Sequence, residues 1–394
     1  MNILVVHNLY REPGGEDRVV ENECALLSRH GHHVVRYTAD NHTIDQINPI
    51  ALAGMTLWNR HSYNDIRALI VRDGIDVMHV HNTLPLASPS VYYAAAEEGI
   101  PVVQTLHNYR MLCPNALCFR GNAPCVECMT SDSYLPAVRH KCYRGSLAAT
   151  ATVAAMLHVH KAAGTWERKI DAYIAPSAFA RTLFVAGGVP DDRIFVKPHF
   201  VDPDPGIGSG GNYAIFVGRL SPEKGIDTLL DAWSQLHSRM RLVIVGDGPL
   251  APKVAAAASQ YDGITWVGRQ PRAEVQRLIG GAGVLVFPSV VFETFGQVIV
   301  EAFAAGTPVI TSTAGAGAEL VRHQQTGLFA EPGNAASLVS QVDWLLANAD
   351  RLDGMRAAAR AAYEAKFTAN ANYRELRNIY ARALQKSVIR ESAA

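Results

Sequence analysis

Residues 213–225 read Tyr-Ala-Ile-Phe-Val-Gly-Arg-Leu-Ser-Pro-Glu-Lys-Gly, and residues 226–236 continue as Ile-Asp-Thr-Leu-Leu-Asp-Ala-Trp-Ser-Gln-Leu. A short apolar run breaks at Gly218, a polar turn containing Pro222 follows, and a helical pattern begins after Gly225. Strand, turn and helix in that order are the repeating unit of a parallel sheet with helices on its faces. Downstream the same alternation predicts strands at 241–245, 264–267, 284–287, 308–311 and 327–330, and upstream at 2–6, 33–37, 76–81, 101–106, 172–175 and 194–197. The clearest helix is 16–30, where Val19, Val20, Glu23, Leu26 and Leu27 form one mostly apolar face and Gly31 follows as a stop.

The stretch 202–212 is almost entirely Gly, Pro, Asp, Ser and Asn, so it reads as a linker without packed structure. The fold class is therefore α/β, two facing Rossmann-like domains with a helical C-terminal tail. The first domain is expected over 1–201 and the second over 213–366. In the tail, Val342, Leu345 and Leu346 are assigned to one face and Leu376, Ile379, Tyr380 and Leu384 to another. The last helix, 367–394, has no sheet of its own and is expected to cross back onto the first domain. No period of 20 to 50 residues supports a solenoid or propeller.

With 394 residues, 48% of them apolar and 18% charged, the chain can bury two sizeable cores. Thirty-six basic and 36 acidic residues cancel, which removes the overall attraction that nucleic-acid binders use. Any anion is bound locally. The first residues carry no basic segment and only a short apolar run, and the longest uncharged stretches fall below the roughly 18 residues of a membrane span. A cytoplasmic protein is expected, and its six cysteines are expected to be reduced.

Open parallel sheets bind ligands beyond the carboxyl ends of their strands, so four places matter. After the first strand, Gly14 and Gly15 allow close backbone approach beside a helix start. After the strand at 213–217, Gly218, Arg219 and Lys224 form a phosphate clamp in outline: a guanidinium grips two oxygens and an ammonium acts as a point charge, which suits a diphosphate. After the strand ending at Phe287, Glu293 and Glu301 flank a helix start near Phe295 and Gly296. Carboxylates there can accept hydrogen bonds from a ribose and a hexose. After the strand at 101–106 comes His107. A lone histidine is more often structural, but this one ends a strand on the ligand side.

Together Gly14-Gly15, His107, Gly218-Arg219 to Lys224-Gly225, Gly246-Asp247-Gly248-Pro249 and the pair Glu293 and Glu301 resemble the retaining glycosyltransferases of the GT4 type, which have the GT-B fold. The resemblance covers nearly the whole chain. It implies that Arg219 and Lys224 bind the donor diphosphate, that Glu301 holds the ribose and that Glu293 contacts the donor sugar with backbone N–H groups of Phe295 and Gly296. It further implies His107 beside the transferred sugar and main-chain groups near Gly268 and Arg269 at the base. The implied reaction is a retaining, metal-independent transfer of a hexose from a UDP- or GDP-linked donor to a glycan or lipid-linked acceptor in cell-surface polysaccharide synthesis. A nucleotide-sugar epimerase and a non-catalytic nucleotide-sugar-binding subunit are the alternatives.

Weaker signals remain. Cys113, Cys125, Cys128 and Cys142 could hold a structural zinc through one tight pair, although a reduced cluster gives the same spacing. The insertion 110–145 shows no regular pattern and adjoins His107. His79 and His81 alternate along a strand and read as hydrogen-bonded residues sooner than metal ligands. The segment 146–169 starts apolar and then carries Lys161, Trp166, Arg168 and Lys169, so it is a domain helix or a face resting on an anionic membrane. Asn41-His42-Thr43 matches a glycosylation acceptor by chance. A dinucleotide fingerprint after a strand and a phosphate loop ending in Gly-Lys-Ser/Thr are absent, and a glycoside hydrolase has no use for the cation clamp.

Overall fold

Twelve of the apolar runs become parallel strands, in two six-stranded sheets. In the computed structural model, which describes residues 1–12, 14–236 and 239–393, these are β1 (Asn2–Leu9), β2 (His33–Asp40), β3 (Val77–Val80) and β4 (Val102–Thr105). A small hairpin follows, β5 (Phe119–Arg120) with β6 (Ala123–Pro124), and then β7 (Ala172–Ala175) and β8 (Ile194–Val196). The second series is β9 (Tyr213–Val217), β10 (Arg241–Val245), β11 (Ile264–Trp266), β12 (Val284–Phe287), β13 (Val309–Ser312) and β14 (Gly327–Ala330). The sheet orders are β2-β1-β3-β4-β7-β8 and β11-β10-β9-β12-β13-β14. Strands β3, β4, β7, β12 and β13 are buried at every residue, as expected where helices cover both faces. At the edge, β2 is exposed or half-buried throughout.

The strand β1 runs three residues beyond its apolar core, so His7 and Asn8 belong to it and not to the turn after it. Polar pairing explains the extension. The Asn8 amide donates to Asn41 Oδ1 at 2.7 Å and its Oδ1 accepts from Leu86 N at 2.8 Å, so a buried polar side chain is satisfied inside the sheet. Asn41 is thereby buried, which excludes it as a glycosylation acceptor.

The chain divides between Pro198 and His199, earlier than the composition suggested. One unit comprises residues up to Cys118, Val126–Pro198 and the chain from Asn372 onward; the other comprises Phe119–Cys125 and His199–Ala371. Val201 belongs to the second core, and its N–H donates to Phe367 O at 3.1 Å. The glycine-rich stretch is packed as well. Gly208 N donates to Ala305 O and Gly210 N to Gly280 O, both at 2.9 Å, and a Cβ on Gly208 would fall 2.2 Å from Gly280 O. Its glycines serve close approach of two backbones, not flexibility.

The insertion 110–145 is not patternless: besides the hairpin it forms the short helices Glu127–Thr130 and Leu135–Arg139. Elements of four or five residues are too short for periodicity to register. The tail forms three helices, Ala335–Ala347, Leu352–Lys366 and Ala369–Ala393, with Ala394 outside the described residues. Leu346, expected beside Val342 and Leu345, is instead 43% exposed. Adjacent helical positions lie about 100° apart, so the stripe ends at Leu345.

In the first unit Leu376, Ile379, Tyr380 and Ala383 of the last helix pack with Ile3, Val5, Val77, Val103 and Ile174 of the sheet. Truncating Leu376, which is wholly buried, leaves a cavity under that sheet. Leu376→Ala is expected to cost about 2–5 kcal/mol, read as a lowered urea midpoint of the first unit; an unchanged midpoint would mean that the helix does not hold that core.

Candidate functional site

Each sheet reverses its winding direction once, between β1 and β3 in the first unit and between β9 and β12 in the second. Loops leaving neighbouring strands at such a point part in opposite directions and open a crevice. Gly14 and Gly15 follow β1, and Gly218, Arg219, Lys224 and Glu293 follow β9 and β12, whereas His107 follows β4 and Arg269 follows β11.

In the first unit Gly14 is the N-cap of the helix Gly15–Arg29. Its N–H donates to Asp17 Oδ2 at 2.8 Å, while Asp17 Oδ1 accepts from His7 Nε2 at 2.9 Å and Tyr10 N at 3.4 Å. Burial opposes ionisation of Asp17, but the bonds from His7, Gly14 and Tyr10 outweigh it and hold the carboxyl below its usual range. Neither glycine is required by the fold: Gly14 has an ordinary extended φ of −123°, and a Cβ on Gly15 would meet nothing within 4 Å.

Beside them Glu16 behaves oppositely. Its Oε2 accepts from Tyr10 O–H at 2.9 Å and Asn108 Nδ2 at 3.3 Å, while Oε1 is buried without a hydrogen-bond partner. Burial, reinforced by the Asp17 charge, raises this carboxyl to about 7 against the pull of His7 and the bonds from Tyr10 and Asn108. His107 follows β4, with Nε2 2.9 Å from Nδ1 of His81. His79 and His81 lie on one side of their strand, as their alternation requires, with ring centroids 4.2 Å apart.

In the second unit, the turn Pro222–Lys224 ends at Gly225 in the left-handed region, with φ +73°. A Cβ there would fall 2.0 Å from Pro288 O, so glycine alone lets this turn lie on the loop after β12. That contact brings Lys224 Nζ within 2.6 Å of Glu293 Oε1. The same oxygen accepts from Ser289 Oγ at 2.7 Å. The Glu293 backbone is held from a third loop: Ala316 N donates to its carbonyl at 3.1 Å, and a Cβ on Gly315 would stand 2.5 Å from its nitrogen. Arg219 lies on the same loop as Lys224, exposed, and among the described residues no ion pair ties it to a carboxylate. Gly218 N donates to Val245 O, which holds the start of that loop on the neighbouring strand.

The helix Gln297–Ala304 starts one residue later than expected, with Gly296 as its N-cap at φ +118° and no side-chain cap. Ile299 N donates to Gly296 O at 2.9 Å, and the N–H groups of Gln297 and Val298 before it have no preceding turn to donate to. The Phe295 ring is in the core, edge-on to His199 at 5.1 Å, so only its backbone is available to a ligand. Glu301 is buried just over one turn into the helix. Arg269 is exposed after β11, where Gly268 O accepts from Gly246 N at 2.9 Å. Sequence reading passed over Ser289, Glu16 and Gly315. Only the last had a signal, a glycine-rich turn directly after a strand.

The four cysteines proposed for zinc do not converge. Among the described residues the one cluster with three close metal-ligand atoms is Glu23, His79 and His81, within 4.8 Å of one another. The Lys197 ammonium sits 2.5 Å from Glu23 Oε1 and already supplies its counter-charge, so a dication there would be repelled. Cys113 instead shares a hydrogen bond with Cys118, which is the main reason its thiol is pulled down to about 6.

Two family profiles match in succession: glycosyltransferase family 4 over residues 13–205 and glycosyl transferases group 1 over 200–362. The chain is 31% identical over 212 residues to the D-inositol 3-phosphate glycosyltransferase of Nocardia farcinica, covering 46% of this chain and 47% of that protein. It is 34% identical over 158 residues to the GDP-mannose-dependent alpha-(1-6)-phosphatidylinositol monomannoside mannosyltransferase of Mycobacterium tuberculosis, covering 37% and 41%. The matched part thus spans under half the length of these relatives. Among solved structures, Anabaena HepE in complex with UDP superposes with a TM-score of 0.67 at 19% identity over 96% of this chain and 99% of that one. Sucrose-phosphate synthase from Thermosynechococcus elongatus gives 0.70 at 17% identity over 98% and 99%.

A carboxyl raised in the folded state holds its proton more tightly there than in the unfolded chain, so stability falls as pH rises from about 4.5 to about 7 and is level above that. Glu16→Gln removes this loss. The variant is expected to be more stable than the parent by about 1–3 kcal/mol at pH 8, a gain that shrinks toward pH 5; a pH-independent difference in urea midpoint would contradict the burial of this carboxyl.

Proposed function

The chain belongs to the group 1 glycosyltransferases with the GT-B fold, and on that premise we propose that it is a retaining hexosyltransferase using a UDP- or GDP-linked sugar. Its acceptor is a glycan or lipid-linked glycan, and its product feeds cell-surface polysaccharide. The observation that carries this reading is the Lys224–Glu293 pair at the winding reversal of the second sheet, next to an uncapped helix start.

A donor diphosphate entering that crevice competes with Glu293 for Lys224. Arg219, exposed on the same loop, takes a second phosphate oxygen through its fork, and the N–H groups at the start of the helix Gln297–Ala304 point at the remaining charge. These are the parts needed to stabilise a leaving diphosphate without a metal. Glu293, released from Lys224, accepts from a sugar hydroxyl, and Glu301 accepts from the ribose. Main-chain groups around Gly268 and Arg269 meet the base. The nucleophile attacks from the face the diphosphate leaves, and a phosphate oxygen takes its proton, so configuration is retained. In the first unit His107 is the residue that the family resemblance assigns to the transferred sugar. The open space over Gly14 and Gly15, which the fold does not need, lets an incoming molecule reach the helix start.

The acceptor chemistry also bears on location. No described helix is long and apolar enough to cross a membrane. Residues 133–166 contain no acidic side chain, and Leu135 and Leu147 stand 71% and 54% exposed with Arg139, Lys141 and Arg144 exposed between them. The charge expected from the helix itself is partly spent, because Lys161 pairs with Asp132. The connection 139–147 is therefore the part suited to an anionic membrane surface at its cytoplasmic face.

Arg219→Ala and Lys224→Ala are each expected to lower turnover on the order of 100-fold or more with the fold intact, measured as sugar transfer from UDP- and GDP-linked donors; near-normal rates in either would refute the clamp. Donor consumption that needs acceptor identifies a transferase, whereas consumption without acceptor points to an epimerase and none at all to a binding subunit. The parent chain is expected to co-sediment with anionic vesicles at low salt and an Arg139, Lys141 and Arg144 triple alanine variant to stay in solution; equal partition would remove the membrane assignment.

A further inference from the structure

Residues 46–59 carry no charged side chain, and the helix at their centre, Pro49–Leu57, holds one polar residue, Thr56. The helix begins there because Asn48 Oδ1 accepts from Ile50 N at 2.9 Å and Pro49 supplies the fixed φ of a first position. A helix on the surface of a globular unit ordinarily turns polar side chains to water. This one turns Ile50, Ala51 and Gly54 outward, and Thr56 is its one buried residue. Ile50 is 84% exposed, more than any other large apolar side chain among the described residues, and Trp58, directly after the helix, is 43% exposed. Thr56 Oγ1 donates to Leu52 O at 2.8 Å, so no side chain of the helix needs water for a hydrogen bond.

We propose that the helix Pro49–Leu57 lies in the surface of an anionic bilayer, with Ile50 and Trp58 entering its apolar edge. What adjoins the helix decides the occupant. It packs along the helix Leu147–Ala162, where Leu57 O accepts from His160 Nε2 at 2.9 Å and where Leu147 and Val159 stand 54% and 48% exposed. Leu57 packs against a small buried cluster of Leu84, Val153, Met156 and Leu157, and so does Tyr143, from the middle of the basic connection 139–147. One cluster therefore joins the apolar helix to the exposed Arg139, Lys141 and Arg144, the last with its guanidinium 5.3 Å from the centre of the Tyr143 ring. Asp45, the acid nearest the helix in sequence, is paired with Arg11 at 2.6 Å. An uncharged apolar face bordered by cations matches a layer of anionic headgroups over hydrocarbon, and a bilayer asks for no directed hydrogen bond, which this face does not offer. Nine residues at 1.5 Å each span about 14 Å, under half of the roughly 30 Å of hydrocarbon, so the helix rests at the interface and does not cross. Tryptophan suits that depth, with a broad apolar ring and a single N–H.

This inference rests on the membrane assignment of the connection 139–147, and the experiment separates the two. With the whole chain and vesicles of equal parts phosphatidylglycerol and phosphatidylcholine, Ile50→Ser is expected to lower the partition coefficient roughly 10-fold, because one large apolar side chain no longer leaves water. Ile50 lies outside the core, so the variant folds as the parent does. Phosphatidylcholine brominated on its acyl chains should quench tryptophan emission of the bound parent. Trp58→Phe keeps an aromatic ring against Tyr63 and Tyr93 and leaves the other tryptophans in place, yet it should remove most of that quenching. Partition equal to the parent in Ile50→Ser, or quenching that persists in Trp58→Phe, would overturn the insertion and leave the basic connection as a purely electrostatic contact. Equal partition of the Arg139, Lys141 and Arg144 triple alanine variant would instead refute the membrane assignment on which the insertion depends. A parent dimer in lipid-free solution that Ile50→Ser dissociates would give the face to a second copy of the chain and overturn the proposal as well.

Discussion

A parallel sheet can grow from its first strand in two directions, and where growth reverses, two neighbouring strands send their loops to opposite faces. Every feature of chemical interest here depends on that constraint. In the second unit the reversal lies between β9 and β12, and the loops that leave them carry Lys224 and Glu293. In the first it lies between β1 and β3, with Tyr10 directly after one strand and His81 directly after the other. Helix starts fall beside both crevices because each strand is followed by a helix, so unbonded N–H groups come with the topology.

Topology opens the crevice, but close approach of backbones sets its geometry to within an ångström. Gly225 lies against Pro288, Gly246 against Gly218, and Gly315 against Glu293; a Cβ on Gly246 would sit 1.9 Å from Gly218 O. These are contacts between successive loops along the carboxyl edge of one sheet. They turn four connections into a fixed surface, which a charge clamp needs if it is to stabilise a transition state without reorganising. Gly14 and Gly15 differ in kind: a Cβ on Gly14 would meet only Asp17 Oδ2, at 3.9 Å, and one on Gly15 nothing within 4 Å.

Electrostatically the two units are built differently. In the second unit Arg219 is exposed and the Lys224 and Glu293 side chains are 29% and 14% exposed, where a ligand can reach them, while Glu301 is buried. The charges of the first unit are sealed beneath the sheet edge, where Glu23 and Lys197 neutralise each other and two neutral histidines are held between them and His107. Breaking such a buried pair from one side leaves an uncompensated charge, so the cluster is fixed once folded. A solvent-reachable ion pair and a sealed polar cluster are the respective outcomes.

Much of this was legible in the amino-acid order alone. Short apolar runs marked the twelve parallel strands, the inner ones apolar throughout because both faces are covered, and turn residues after such runs singled out Gly218, Arg219, Lys224, Glu293 and His107. The shared side of His79 and His81 followed from a period of two. What folding alone decided were the partners. The pairing of Lys224 with Glu293 spans 69 residues, that of Lys197 with Glu23 spans 174 and that of His79 with Tyr380 spans 301. No local pattern encodes such distances. For the same reason the packed state of residues 202–212, the chain's return at Asn372 and the buried support under His107 came only with the tertiary structure: each is a contact between backbones or buried polar atoms remote in sequence, chosen by which groups burial leaves in need of one another.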